Sequence, residues 1–223
     1  MTVGETPNLR KAMVAICRAM VERGLNRGRS GNVSARCGEQ FLMTPSGIDP
    51  ADMGPGDLVL MDFDGCAHGP HEASSEWRFH RDILAARPET NVVLHAHPIF
   101  STALACLGRD IPAFHYMVAM AGGASIRCAP YATFGSQELS DHALAALADR
   151  RACLLANHGM ISLGGSLSSA LALAVEVEAL SEQYAQALAI GEPVLLSDVE
   201  MATVLEKFRT YGAATIGDEP FTA

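Results

Sequence analysis

Residues 92–98 read Val92-Val93-Leu94-His95-Ala96-His97-Pro98. A short apolar run closed by a proline has the pattern of a buried strand, and the residues that follow, through Cys106, suit a helix. Cys153-Leu154-Leu155-Ala156 is a second apolar strand, and it runs directly into Asn157-His158-Gly159. Residues 33–36 and 40–44 read as two short strands turned by Cys37-Gly38-Glu39, and residues 58–63 as another, closed by Asp64-Gly65. Leu9, Met13, Ile16 and Met20 recur at helical spacing before Gly24. Residues 75–86 are helical up to Pro88, and residues 167 to about 190 form a long Ala/Leu-rich helix ended by Gly191. Ser197 and Glu200 match a capping box that opens a final helix through Lys207. Strands interleave with helices, yet several strands adjoin through short turns. The prediction is a single α/β domain over residues 1–223, with a mixed or antiparallel sheet covered by helices.

Composition narrows the partners. The 223 residues are 49% apolar, ample for a core, and carry 25 acidic against 16 basic side chains, a net charge of −9. No Lys/Arg cluster interrupts that balance, so neither nucleic acid nor an anionic membrane is expected as a partner. The N-terminal stretch has charges at Arg10, Lys11 and Arg18 and no separate apolar core, so it does not read as a signal peptide. No apolar run reaches membrane-spanning length. The six cysteines are scattered without a C-x-x-C pair and read as reduced core thiols. These features predict a cytoplasmic protein.

His95 and His97 alternate along their strand, so both imidazoles face one side. His158 also ends an apolar strand. Three imidazoles at strand ends suit a divalent metal with a position open to substrate; the alternative at each is a buried, hydrogen-bonded core histidine. Glu76, at a helix start, is either a dipole contact or a chemical group. Beside it, Ser74 and Ser75 offer hydroxyls and free N–H groups of the kind that hold anions. Residues 28–32 and Thr44-Pro45-Ser46-Gly47 offer the same equipment, and Arg29 adds charge; each is also an ordinary turn. The chain has only two lysines, Lys11 and Lys207, neither in an apolar setting. Carbonyl chemistry therefore needs a metal as Lewis acid and not a Schiff base.

Several stretches in order resemble the class II aldolase/adducin family. They are Ser74-Ser75-Glu76-Trp77-Arg78-Phe79-His80, the His95/His97 pair, residues 111–139 with His115-Tyr116-Met117 and Cys128-Ala129-Pro130-Tyr131-Ala132-Thr133-Phe134-Gly135, and the tail at residues 204–212. The resemblance implies an α/β/α layered fold with a mostly antiparallel sheet, assembled as a homotetramer with active sites at subunit interfaces. It implies zinc, or another divalent ion such as Mn2+, Fe2+ or Co2+, held by His95, His97 and His158, with Glu76 as a further ligand. Phosphate is expected at Gly31, Asn32, Ser46, Gly47, Ser74 and Ser75, with Arg29 beside them. Tyr116 is expected to reach in from a neighbouring subunit, and Phe134, Phe208 and Tyr211 to shape the aldehyde end.

The implied reaction is reversible cleavage of a ketose 1-phosphate to dihydroxyacetone phosphate and a small aldehyde, with Glu76 and Tyr116 as the proton-handling groups. L-Fuculose 1-phosphate, giving L-lactaldehyde, is the leading substrate. The alternatives are 5-deoxyribulose 1-phosphate and 5-methylthioribulose 1-phosphate, then pentulose-phosphate epimerase or methylthioribulose-phosphate dehydratase chemistry. A non-catalytic scaffold of the adducin type would have no need of the retained histidines and Glu76. Arg29-Ser30, Ala96 and Ala156-Asn157 depart from the family pattern, at the phosphate loop and around the metal ligands.

Overall fold

The computed structural model describes residues 7–210. The described residues open with helix α1 (Pro7–Glu22), strands β1 (Asn32–Cys37), β2 (Gln40–Met43), β3 (Val59–Asp62) and β4 (Ala67–His68), and helix α2 (Trp77–Ala86). Strand β5 (Val92–Ala96), helix α3 (Ile99–Cys106), strand β6 (Arg127–Ala129) and helix α4 (Gln137–Ala146) follow. The chain continues with strands β7 (Ala152–Leu155) and β8 (Gly159–Gly164), then helices α5 (Leu167–Ile190) and α6 (Asp198–Thr210). The strands make one eight-stranded sheet in the order β4-β3-β2-β1-β5-β8-β7-β6. Every neighbouring pair is antiparallel except β6 with β7. The predicted α/β domain with a mostly antiparallel sheet is therefore present. None of the described helices is long and apolar enough to cross a membrane.

Every residue of β5 is buried, which explains its unbroken apolar run. Its alternate side chains serve two cores. Val92, Leu94 and Ala96 join the cluster beneath α1, α3, α5 and α6, whereas Val93 joins the cluster beneath α2 and α4. Helix α2 packs through Phe79, Ile83 and Leu84, all at most 1% exposed, and truncating Phe79 to alanine would cost about 3–5 kcal/mol. His95 is on this second face, opposite Asn32 of β1 and Ile161 of β8. The site is thus built over the middle of the sheet.

One expected helix starts later than its pattern suggests. Helix α2 starts at Trp77 and not at residue 75, because Glu76 occupies the cap position without its side chain capping the helix. Strands β4, β6 and β8 and helix α4 are additional. Ser136, whose Oγ accepts the N–H of Leu139, opens α4. Only Cys17, Cys37 and Cys153 are buried as core thiols; Cys66 and Cys106 are exposed, and no disulfide joins cysteines among the described residues.

Candidate metal centre and anion-binding cavity

Four side chains from three separate segments converge. His95 ends β5, His97 lies one step beyond it, His158 occupies the β7–β8 turn, and Glu76 precedes α2. Their ligand atoms all lie within 4.8 Å of one another. Glu76 Oε2 is 3.2 Å from His95 Nε2, Glu76 Oε1 is 3.2 Å from His158 Nε2, and the Nε2 atoms of His95 and His97 are 2.8 Å apart. The β7–β8 turn makes this possible in two ways. Asn157 takes a left-handed backbone (φ 55°), which asparagine tolerates better than most residues. Gly159 admits no side chain, because a Cβ there would strike the Ala96 carbonyl and lie 2.7 Å from the His97 ring.

The protons and lone pairs point to a cation. His95 Nδ1 donates to the Met160 carbonyl (2.9 Å), which turns its Nε2 toward the centre. Glu76 is buried, which alone would raise its pKa. The neighbouring His95 and His158 outweigh that effect and hold the carboxyl far below the usual carboxylate range. Its Oε1 has no hydrogen-bond partner despite burial. Burial, with His95 and His158 beside it, pushes His97 down to about 3, so its imidazole is neutral near pH 7. Three imidazole nitrogens and an orphaned carboxylate oxygen make a donor set that fits a divalent first-row ion such as zinc.

A cavity of about 380 Å³ opens in front of Glu76, His97 and His158. The expected anion-binding residues Arg29, Gly31, Asn32, Ser46, Gly47, Ser74 and Ser75 all line it, as does Phe134. Two of their loops are zipped together: Ser74 N–H donates to the Thr44 carbonyl and Ser46 N–H to the Glu72 carbonyl. Arg29 Nη1 ties the third loop to them by donating to the Gly47 carbonyl (3.0 Å). Buried Asn26 links this floor to the metal centre, its Oδ1 accepting the His97 N–H at 3.1 Å.

The family model described as Class II Aldolase and Adducin N-terminal domain matches residues 11–185. The chain belongs to this family. It is 57% identical over 204 residues to a 5-methylthioribulose-1-phosphate/5-deoxyribulose-1-phosphate aldolase of Rhodospirillum rubrum, covering 92% of each protein. It is 47% identical to the L-fuculose phosphate aldolase of Escherichia coli strain K12, over 93% of this chain and 97% of that one. A solved L-fuculose 1-phosphate aldolase structure superposes with a TM-score of 0.90 at 37% identity, over 92% and 98% of the two chains. The protein is therefore an enzyme of the class II aldolase type, a lyase. Class II aldolases are metal-dependent, and Glu76, His95, His97 and His158 are the residues that could hold the ion.

Other expected residues of the aldolase stand elsewhere. Tyr116 is 50% exposed and stacks on Phe208 (centroids 6.4 Å apart, planes 10°), and neither side chain lines the cavity of its own chain. Tyr211 lies outside the described residues. Sequence reasoning passed over Tyr131 and Asn157, which line the cavity. It also passed over His80, fully buried and bonded to Asn32 and Ser34. For His80 a signal was available: it follows Glu76 by four residues, one helical turn.

Proposed function

We propose that the protein reversibly cleaves a ketose 1-phosphate into dihydroxyacetone phosphate and a small aldehyde. The observation that carries this reading is the meeting, in one cavity, of the Glu76–histidine cluster with three anion-binding loops. In this reading Gly31, Asn32, Ser46, Gly47, Ser74 and Ser75 hold the phosphate through N–H and O–H donors. Arg29, the one cation among the cavity-lining residues, adds charge. A bound divalent ion, most simply zinc, supplies electrophilic stabilisation of the negative charge that develops as the carbon–carbon bond breaks. Tyr116 of a neighbouring subunit, in a cytoplasmic homotetramer, relays the proton of the C4 hydroxyl to solvent as the C3–C4 bond opens, its phenol giving up one proton as it takes the other. The electron pair of that bond stays on C3, and Glu76, a carboxylate that first takes up a proton from solvent, delivers that proton there. In synthesis the same steps run backwards, with Glu76 as base.

For the aldehyde, 5-methylthioribulose 1-phosphate and 5-deoxyribulose 1-phosphate move ahead of L-fuculose 1-phosphate. Support comes from the 57% identical Rhodospirillum rubrum relative, and from a Bacillus thuringiensis relative, 38% identical, called 5-deoxy-D-ribulose 1-phosphate aldolase. The aromatic side chains of Tyr131 and Phe134 on the cavity wall suit an apolar aldehyde tail. L-Fuculose 1-phosphate stays as the second reading, favoured by the 47% identical relative. Phe208 and Tyr211 belong to the aldehyde end of either reading.

The test is coupled detection of dihydroxyacetone phosphate from the three substrates side by side, with and without chelator. Chelator-sensitive release with the highest kcat/KM on the methylthio or deoxy substrate is the expected result. Release fastest from L-fuculose 1-phosphate would restore the second reading. No release from any of the three by metal-loaded enzyme would overturn the aldolase proposal in favour of epimerase or dehydratase chemistry.

A further inference from the structure

Behind Glu76 runs a buried hydrogen-bond chain. Asn32 Nδ2 lies 2.9 Å from Glu76 Oε2, Asn32 Oδ1 lies 2.5 Å from His80 Nε2, and His80 Nδ1 lies 2.8 Å from Ser34 Oγ. The four residues are 7%, 6%, 0% and 0% exposed in the order Asn32, Glu76, His80 and Ser34, so water does not compete for these bonds. Two secondary-structure periods build the chain. Glu76 and His80 are one turn apart at the start of α2, while Asn32 and Ser34 are alternate residues on one face of β1. Phe79 stacks on the His80 ring at 4.6 Å and fixes its plane.

Only one arrangement of protons satisfies every member. A carboxylate can only accept, so Asn32 must turn its NH2 toward Glu76. Its carbonyl oxygen then needs a donor, which makes His80 the Nε2–H tautomer. His80 Nδ1 is left as an acceptor, and the Ser34 hydroxyl donates to it. A flipped Asn32 would set its carbonyl oxygen against the carboxylate, and would do the same to any anion in the cavity it lines. The polarity of the chain is therefore set at the carboxylate, and the Ser34 hydroxyl, able to donate or accept, completes it.

We propose that His80 is a positioning residue: its Nε2–H holds the Asn32 amide with the donor toward Glu76. That bond engages Oε2 and leaves Oε1, the oxygen without a hydrogen-bond partner, to exchange a proton with substrate carbon. The second half rests on the aldolase reading given above; the first does not.

Two substitutions separate positioning from packing. In His80→Gln the side-chain amide nitrogen reaches about where the imidazole Nε2 stood and can still donate to Asn32. In His80→Asn the shorter side chain can keep Ser34 but not reach Asn32. The asparagine variant should lose about 10–100-fold in kcat with KM changed less than about 3-fold, and glutamine should restore most of that loss. A readout free of activity is the imidazole 15N spectrum of the wild-type protein, metal-free and zinc-loaded, without substrate. It should give His80 as the neutral Nε2–H tautomer. The Nδ1–H tautomer, or equal kcat losses in the two variants, would overturn the proposal. If the wild type releases no dihydroxyacetone phosphate, the aldolase reading fails and takes the assignment of Oε1 with it. The tautomer still decides the role of His80.

Discussion

Gly31 and Asn26 are packed so closely that any side chain at Gly31 would occupy the space of the Asn26 amide. Asn26 in turn accepts the N–H of His97, so one contact joins the anion-binding loop to the metal centre. Gly31 also has a left-handed backbone (φ 77°), which adds strain to any substitution. Gly31→Ala should destabilise the fold by about 1–3 kcal/mol. A melting curve should show this as a drop of roughly 2–4 °C per kcal/mol. KM for the phosphorylated substrate should rise in the same variant, and an unchanged KM would mean that loop and metal centre are not coupled through Asn26.

Glu76→Gln keeps the shape of the side chain and removes its ability to carry a proton. Turnover should fall by about 10²–10⁴-fold, with metal content by atomic absorption close to wild type because the three imidazoles remain. Retained turnover would remove Glu76 from proton transfer.

Removing any one of His95, His97 and His158 by alanine substitution should leave the purified enzyme short of metal and without activity. Dialysis against chelator should do the same to the wild type, with activity returning on addition of zinc or another first-row divalent ion. A protein that stays fully active after its metal is stripped would contradict the assignment of these ligands.

His80 makes stability pH-dependent. Burial first, then the charge of His95, pushes its pKa down from 6.5 to about 3, although Glu76 pulls the other way. The unfolded chain takes up a proton below about pH 6.5 that the folded protein refuses until about pH 3. The stabilisation is complete above pH 6.5 and is lost as pH falls, at up to about 1.4 kcal/mol per pH unit for one proton. Urea unfolding of metal-free protein between pH 7 and pH 4 should show this decline, and His80→Gln should flatten it by about one proton. An identical slope in the two proteins would mean His80 is not the group responsible.

Tyr116 offers a test of assembly. Each of Glu76→Gln and Tyr116→Phe should be nearly inactive alone. If Tyr116 serves a neighbour's cavity, co-expressed hybrids of the two variants contain some sites with both residues intact. Activity above the sum of the parents is expected; hybrids no better than the parents would confine Tyr116 to its own chain.

The parts legible in the sequence were those with local signals. The run at residues 92–97 announced both the central strand and two ligands, and the 24-residue helix α5 begins and ends where its pattern does. The capping box at Ser197 and Glu200 is present, with Glu200 Oε2 accepting from Ser197 N–H and Oγ–H. Sheet order was not legible. Pairing of β1 with β5 and of β5 with β8 joins strands far apart in sequence, and nothing in either segment names its partner. His80 escaped notice for a related reason. Its spacing from Glu76 was visible, but its meaning depends on Asn32 and Ser34 arriving from a distant strand.

The first and last of the four ligand residues, Glu76 and His158, are 82 positions apart, yet all four ligand atoms end up within 4.8 Å of one another. A nascent chain that has released β5 but not β8 has three of the four groups and no turn to bring in the last. Non-local pairings of this kind form late, after loop closure has been met. Tight ion capture therefore marks the completion of folding: an intermediate lacking the β5–β8 pair has no complete centre to load, and a metal-laden molecule has already found its topology.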